Sequence, residues 1–225
     1  NLELLEAYEK AERDIDLSGD KSPENVKAIY EQYGITSLLN ADGTYNDELT
    51  KARYQEMKDA GINLTVYYGH TIDRSISEQM RLLEVCEDIG LKFIGTISGG
   101  GTVPSLDVIP EIKQTLATSD AYVGDYVRDE PGAPEFDQIG AYVDEFRNQM
   151  PNKDVYVNLF PCYANPATQL KSADYEEHID QYIEKVETKA LSYDYYGLNG
   201  NGTVSSSYYT NLDLVRSKTL DVRKP

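Results

Sequence analysis

The sequence predicts an α/β fold whose strands pair in parallel. Amphipathic helices alternate with short apolar strands along most of the chain, and polar residues collect directly after several of those strands. The strands begin near residues 62, 91, 121, 154 and 190, so their spacings are 29, 30, 33 and 36 residues. Helices and strands that alternate at this spacing are typical of βαβ units, in which a crossover helix joins parallel strands.

The first two units share a glycine between helix and strand. A helical stripe that reaches Ala60 is followed by Gly61 and then by the β-branched and aromatic run Ile62–Tyr68. A second stripe is followed by Gly90 and then by the run Leu91–Ile97. Glycine is the residue that most readily takes the left-handed backbone at a helix end, so both glycines predict a helix stop.

Three further units follow the same order. Their helices are predicted at 106–117, 136–149 and 175–186, and their strands at 121–127, 155–160 and 190–196. An earlier strand is predicted at Ile35–Leu39, and a last helix at Tyr208–Leu220. We therefore expect residues 1–33 to form an N-terminal helical segment or peripheral layer, and residues 34–225 to form a (β/α) barrel region with strands 1–6 and a following helix.

Two architectures fit this pattern, a parallel (β/α)8 barrel of the TIM type and an open doubly wound sheet. The open sheet predicts a Gly-x-Gly-x-x-Gly turn after its first strand, and the chain contains none. The run Gly99–Gly101 follows a strand, but Pro104 and polar residues come next, so we interpret it as a flexible loop. The barrel is favoured. Because a closed barrel needs eight strands, we expect it to be incomplete at the C-terminus, with strands beyond Pro225.

The acidity of the chain restricts its expected partners. The formal net charge is −18 and the pI is about 4.4. Such a charge repels phosphate backbones and anionic lipid, so neither nucleic acid nor a membrane is expected as a partner. No apolar run approaches the roughly 20 residues of a membrane helix. A neutral carbohydrate is not repelled, although the acidity is equally consistent with a role in solubility. The oligomeric state stays open.

The sequence predicts neither a metal ion nor an organic cofactor. Two cysteines, Cys86 and Cys162, are too few for a disulfide framework or a Cys-based metal site, and Cys86 is predicted to be a buried free thiol. Of the two histidines, His178 is expected at the surface of a helix, among acidic neighbours. His70, at a strand end, is the better site candidate. Walker and G-x-S-x-G motifs are both absent.

The polar residues that follow the strands suggest a binding site, because a parallel α/β barrel works at the carboxyl ends of its strands. The candidate substrate-binding residues there are Tyr68, His70, Arg128, Asp129, Asn158, Tyr163, Asp194 and Tyr195. Carboxylates, amides and guanidinium groups pair with sugar hydroxyls, and tyrosine rings offer flat apolar faces with a polar tip. The mixture predicts a carbohydrate-binding mouth, whereas any single Tyr is also explained as an ordinary strand residue.

The segment Arg128-Asp129-Glu130-Pro131-Gly132 is the sharpest local signal. Three charges directly after an apolar strand are costly to bury together, and Pro131 stops the strand from continuing. Asp129 should raise the pKa of Glu130 and Arg128 should lower it. A carboxyl kept protonated near neutral pH is what a general acid requires. The alternative is a solvated loop with acids at a helix N-terminus.

At these residues the sequence resembles a known family. Tyr122–Pro131 (YVGDYVRDEP) is similar to the fourth-strand segment of clan A glycoside hydrolases. Tyr156–Pro161 (YVNLFP) and Leu191–Tyr196 (LSYDYY) are similar to the fifth and sixth strands of poorly characterised bacterial members. The resemblance covers roughly residues 50 to 223. It implies a (β/α)8 fold and a retaining mechanism in which an Asn-Glu-Pro motif carries the acid/base glutamate.

Carried over residue by residue, the resemblance makes Glu130 the acid/base. Asp129 stands where the family has an Asn that bonds the sugar 2-hydroxyl, and a carboxylate accepts but does not donate. Asp194 becomes a substrate-binding or orienting residue rather than a nucleophile. The nucleophile would follow the seventh strand, which we expect beyond Pro225. The resemblance also implies a bacterial protein that is secreted or held at the cell surface.

The expected function is a glycoside hydrolase that acts on a neutral sugar or polysaccharide, with Glu130 as proton donor. The alternative is a non-catalytic carbohydrate-binding barrel that has lost the second carboxylate. A weaker third reading is a metal-dependent sugar isomerase that uses Asp129, Glu130 and Asp194. In a hydrolase, a second carboxylate about 5 Å from Glu130 would indicate retention of configuration, and a gap of about 6.5–9.5 Å would indicate inversion.

Overall fold

A computed structural model describes residues 2–34, 47–67 and 75–221 of the chain. The helices are α1 (Leu2–Ser18), α2 (Pro23–Gln32), α3 (Asp47–Asp59), α4 (Ile76–Ile89), α5 (Ile109–Gln114), α6 (Phe136–Gln149), α7 (Tyr175–Lys185) and α8 (Tyr208–Asp221). The strands are β1 (Leu64–Val66), β2 (Lys92–Gly95), β3 (Tyr122–Asp129), β4 (Asp154–Leu159) and β5 (Ser192–Tyr193). Within the described residues, no helix is both long enough and apolar enough to cross a membrane.

The five strands form one sheet in the order β1-β2-β3-β4-β5, which is their order along the chain. The pairs β2–β3, β3–β4 and β4–β5 are parallel, with Gly95 opposite Asp125, Asp129 opposite Asn158, and Asn158 opposite Ser192. The α/β class with a parallel sheet is therefore confirmed. The strand predicted at Ile35–Leu39 lies outside the described residues, and the division at residues 33 and 34 stays a prediction.

Element lengths differ most from expectation at the end of the sheet. Only Ser192–Tyr193 of the predicted strand 190–196 is regular, and among the described residues β5 is paired with β4 alone. The helix predicted over 106–117 is broken into a 3₁₀ turn, the short α5 and a second 3₁₀ turn, Leu116–Thr118. By contrast β3 and β4, which are paired on both sides, match their predicted ranges within two residues.

One compact unit comprises residues 1–65 and 80–92. In it α1 packs against α2, where the Tyr8 and Tyr30 rings stack with centroids 5.9 Å apart, and the Tyr30 hydroxyl donates to Glu12. Cys86 is a buried free thiol, as predicted, and burial raises its pKa to about 12. A thiol in this state is protonated at neutral pH and unreactive.

The second unit comprises residues 66–79 and 93–225 and holds β3, β4 and β5 with the helices α5 to α8. Its core lies between β3 and the helices that follow it. Phe136, Tyr142 and Phe146 of α6 are fully buried there, and Ile179 and Tyr182 of α7 join them. These buried side chains pack α6 and α7 into the same core as β3 and so hold the strand in place.

His178 is buried, so its expected surface position is wrong. It lies on the α7 stripe formed with Tyr175, Ile179 and Tyr182, and its ring centroid is 4.9 Å from that of Phe136. Burial lowers the pKa of the imidazole to about 4, so the ring is neutral at physiological pH. The helical period therefore decided its position, and the acidic character of its sequence neighbours did not.

Candidate functional site

A polar cleft opens at the carboxyl ends of β3, β4 and β5. Its volume is about 420 Å³, and it is lined by Val66, Tyr126, Asp129, Tyr156, Asn158, Asp194 and Tyr196. Three of the predicted site residues, Asp129, Asn158 and Asp194, thus lie together. They come from three neighbouring strands, so the parallel register of the sheet is what assembles them.

Asn158 organises the floor of the polar cleft. Its side-chain amide donates to Asp129 Oδ1 at 3.2 Å and to Asp194 Oδ1 at 2.8 Å, and its Oδ1 accepts from the Ser192 hydroxyl at 3.0 Å. Both amide hydrogens are therefore committed to carboxylates. Asp129 stands where the glycoside hydrolases that the sequence resembles have an Asn. An amide donor does lie beside Asp129, but it belongs to Asn158 of the next strand, β4.

Glu130 follows the cleft residue Asp129 but is not itself among the residues that line the cleft, and its backbone is held in an unusual conformation. Its φ of 46° lies in the left-handed region, which residues with side chains rarely adopt. Its N–H donates to the Asn158 carbonyl at 2.7 Å, and the N–H of Asp129 donates to the Gly100 carbonyl at 2.9 Å. These bonds, together with Pro131, fix the direction in which the Glu130 side chain leaves the backbone.

The electrostatic surroundings of Glu130 favour its protonated form. Partial burial raises the pKa of its carboxyl, the negative charges of Asp129 and Asp194 raise it further, and Arg128 opposes them. Asp129 and Arg128 therefore act in the directions expected from the sequence. Asp194 directly follows β5, and the sheet brings its negative charge close enough to raise the pKa of Glu130. A raised pKa moves a carboxyl toward the value that a general acid requires.

Arg128 braces the turn that carries Glu130. Its guanidinium donates to both carboxylate oxygens of Glu135, from Nε at 2.7 Å and from Nη2 at 3.2 Å, and its Nη1 donates to the Gly100 carbonyl at 3.0 Å. Glu135 Oε1 also accepts the Gly132 N–H at 3.0 Å. The predicted substrate contact of Arg128 stays a prediction; its described partners belong to the protein itself.

The glycine run also belongs to this support. The Gly100 backbone has φ of 74°, and a Cβ there would lie 2.9 Å from atoms of the Tyr126 ring. Only glycine therefore lets the loop approach Tyr126, one of the cleft residues, while its carbonyl receives Asp129 and Arg128. The glycine run therefore holds the end of β3 through backbone hydrogen bonds to the Gly100 carbonyl.

Tyr195 and Tyr163 lie together but do not line the polar cleft. Their ring centroids are 5.4 Å apart in an edge-to-face arrangement, and the Tyr195 hydroxyl bonds to Ser207 at 2.6 Å. Asp194 and Tyr196 line the cleft, whereas Tyr195 does not. Tyr68 and His70 lie outside the described residues, and their roles stay predictions.

Three tyrosines also line the cleft: Tyr126, Tyr156 and Tyr196. Tyr126 and Tyr156 are register partners, with ring centroids 5.1 Å apart. Tyr156 stands two residues from Asn158 in β4 and therefore shares its face, so the strand period of two was the signal that could have identified it. Within the described residues, no three His, Cys, Asp or Glu side chains are grouped to hold a metal ion.

Comparison with solved structures shows which fold the chain shares. No protein-family model matches the chain, and no curated protein matches it in sequence. An FMN-binding β-glucuronidase from Facaelibacterium prausnitzii L2-6 superposes with a TM-score of 0.52 at 13% identity, over 79% of this chain and 26% of that one. A Bacteroides uniformis β-glucuronidase and β-glucuronidase 2 of that organism, covalently bound to cyclophellitol-6-carboxylate aziridine, each give a TM-score of 0.52 at 12% identity.

The chain corresponds to a small part of these proteins. It covers 21% of the length of each Bacteroides uniformis enzyme, while 77% of the chain is aligned. At such low identity the similarity concerns the fold alone. It supports an α/β fold of the TIM-barrel type, of which the described residues display a sheet of five parallel strands.

Proposed function

We propose that this chain carries the acid/base half of a glycoside hydrolase site, with Glu130 as the proton donor. One observation carries the proposal: Glu130 directly follows Asp129 at the end of β3, and the charges of Asp129 and Asp194, which line the polar cleft, add to burial in raising the pKa of its carboxyl. Glycosidic bond cleavage requires a proton donor and a second carboxylate that acts as nucleophile or base, and Glu130 is proposed as the first of these. The fold shared with β-glucuronidases is consistent with this chemistry.

In the proposed mechanism Glu130 protonates the glycosidic oxygen as its bond to the sugar breaks. Positive charge then develops on the sugar ring, and the carboxylates of Asp129 and Asp194 stabilise it. Both carboxylates are held by the Asn158 amide, so they need not reorganise as the charge appears. The second catalytic carboxylate, as nucleophile or base, is expected from a later strand of an eight-stranded barrel, which we propose as the complete fold.

We propose a neutral sugar as the substrate. The described lining of the polar cleft contains two carboxylates and an amide but neither Lys nor Arg. Sugar hydroxyls donate hydrogen bonds to such carboxylates, whereas the carboxylate of a glucuronide would be repelled. The tyrosines of the lining supply faces for the C–H groups of the ring. Secretion or display at the cell surface remains part of the proposal.

A second candidate function is carbohydrate binding without catalysis. It is favoured by the hydrogen bonds that tie Asp129 and Asp194 to Asn158, because these fix the cleft in the absence of any ligand. A metal-dependent isomerase stays a weaker prediction, and the metal content of the purified protein tests it.

The test replaces Glu130 by Gln in the intact protein and measures hydrolysis of neutral-sugar glycosides with poor leaving groups. The rate should fall about 10²–10⁴-fold, the usual contribution of general acid catalysis, while calorimetric sugar binding stays within about tenfold. Glu111→Gln, an exposed carboxyl on α5, is the control and should leave both unchanged. Equal activity of Glu130→Gln and wild type would reject the donor role. Sugar binding by a wild type without hydrolysis would favour the second candidate.

A further inference from the structure

A second cavity lies beside the polar cleft, between the end of β5 and the start of α8. Its volume is about 510 Å³, and it is lined by Tyr195, Tyr196, Gly197, Leu198, Val204, Tyr208 and Tyr209. Cavities of about 300–1,000 Å³ are of the size that holds small organic molecules. We call it the tyrosine cavity.

The tyrosine cavity has an apolar, uncharged lining. None of its seven lining residues carries a carboxylate, an amide side chain or a cation. The Tyr195 ring packs edge-on against Tyr208, with centroids 5.3 Å apart, and Tyr208 packs edge-on against Tyr209 at 5.2 Å. The Tyr195 hydroxyl already bonds to Ser205 at 3.1 Å and to Ser207 at 2.6 Å. The rings therefore present mainly apolar surface.

A short turn holds two aliphatic side chains at the cavity. Leu198 and Val204 form an antiparallel bridge, and the Ser205 N–H donates to the Gly197 carbonyl at 2.8 Å. Leu198 is 79% exposed and Val204 is 47% exposed, although both are apolar. Exposed aliphatic groups grouped with aromatic rings are typical of a surface that receives a ligand.

Tyr196 connects the two spaces, because it lines both the polar cleft and the tyrosine cavity. The charges of Asp194 and Glu130 raise the pKa of its hydroxyl, so the ring stands within the electrostatic field of the proposed catalytic carboxyl. A molecule that spans the two spaces would therefore pass beside Tyr196. Its polar part would suit the cleft, and its apolar part would suit the cavity.

We propose that the tyrosine cavity binds the planar, uncharged, apolar aglycone of a glycoside whose sugar occupies the polar cleft. This inference rests on the proposed function and names its substrate class as aryl glycosides. A second sugar fits less well, because its hydroxyls would lose water without finding the carboxylate and amide partners that the first cleft supplies. An aromatic aglycone needs only flat apolar contact, and edge-to-face rings provide it.

The binding test uses free 4-methylumbelliferone at pH 6, where it is uncharged, and follows its fluorescence on titration with the intact protein. Wild type should bind it, and Leu198→Asp should weaken binding about tenfold or more, because a carboxylate would then border the apolar space. Leu17→Asp is the matched control, since Leu17 in α1 is also 79% exposed, and it should bind as wild type does. Absence of binding, or equal binding by Leu198→Asp, would overturn the proposal.

A kinetic measurement separates this inference from the proposed function. The ratio of kcat/KM for a 4-methylumbelliferyl glycoside to that for the methyl glycoside of the same sugar should fall about tenfold in Leu198→Asp and stay constant in Leu17→Asp. The intrinsic reactivity of the two substrates cancels between variants. Leu198-dependent binding without any hydrolysis would support the cavity and reject the glycosidase. Displacement of the fluorophore by a neutral disaccharide, also Leu198-dependent, would overturn the aglycone assignment in favour of a second sugar.

Discussion

Strand β3 and the residue directly after it supply two carboxyl groups whose pKa values are raised by burial, Asp125 and Glu130, and the two lie in opposite surroundings. Asp125 is fully buried against α6, where the Tyr142 hydroxyl donates to it at 2.8 Å, and its pKa is raised to about 7. Glu130 follows the end of the same strand, is partly exposed, and stands beside Asp129 and Asp194. A raised pKa therefore does not by itself identify a site. Access for a ligand and nearby charges of the same sign distinguish Glu130 from Asp125.

The largest expected effect concerns Asp125 and the pH dependence of stability. Its pKa is about 7 when folded and near 3.8 when unfolded, so the unfolded state alone loses its proton between these values. The free energy of unfolding should therefore fall as pH rises through this window and level off above it. The free energy of unfolding of Asp125→Asn minus that of wild type should be roughly 3 kcal/mol more positive at pH 8 than at pH 5. Urea unfolding at the two pH values measures this difference.

A second titrating group and a control variant must be considered when the Asp125→Asn and wild-type curves are compared. His178, with a pKa of about 4, contributes stability that is lost as pH falls below about 6.5, which is the opposite dependence, and it acts equally in both proteins. Asp213→Asn, an exposed carboxyl of α8, is the control and should follow wild type. Parallel curves for Asp125→Asn and wild type would mean that Asp125 is ionised in the folded protein over this range.

A smaller effect is expected when a charge is added next to Glu130. Asn158→Asp replaces the amide that joins Asp129 and Asp194 with another carboxylate. Like charges favour the protonated form of a neighbour, so the basic limb of the kcat/KM profile should move to higher pH by about one unit. Asn152→Asp, in the exposed turn after α6, should leave the limb where it is. If the basic limb of Asn158→Asp stays at the wild-type pH, the charges at Asp129, Asn158 and Asp194 do not affect the catalytic proton.

The comparison also shows which features a sequence can predict. The apolar runs of β3 and β4 predicted buried, parallel strands, and the charged residues after β3 predicted a site at its end. The contacts of Asn158 were not predictable, since they depend on the register that sets it opposite Asp129 and Ser192. Tyr195 was assigned to the same mouth as Asp194. Its hydroxyl instead meets Ser205 and Ser207, at the end of a loop whose path the sequence does not reveal.

His178 shows how burial can be predicted wrongly from the sequence. Its acidic sequence neighbours favoured a surface position, yet Tyr175, Ile179 and Tyr182 recur at the spacing of one helix face and include it. Periodicity was the better guide because burial is a property of a face rather than of a stretch of sequence. The same reasoning places Tyr156 with Asn158 on the face of β4 that lines the polar cleft.

The most direct test of the account is an NMR titration of the Glu130 side-chain carboxyl, assigned by its loss in Glu130→Gln. We predict a midpoint above the ordinary value of 4.5, and a lower midpoint in Asp129→Asn and in Asp194→Asn, because each substitution removes a neighbouring negative charge. A midpoint at or below 4.5, unmoved by either substitution, would contradict the claim that this carboxyl is built to hold a proton.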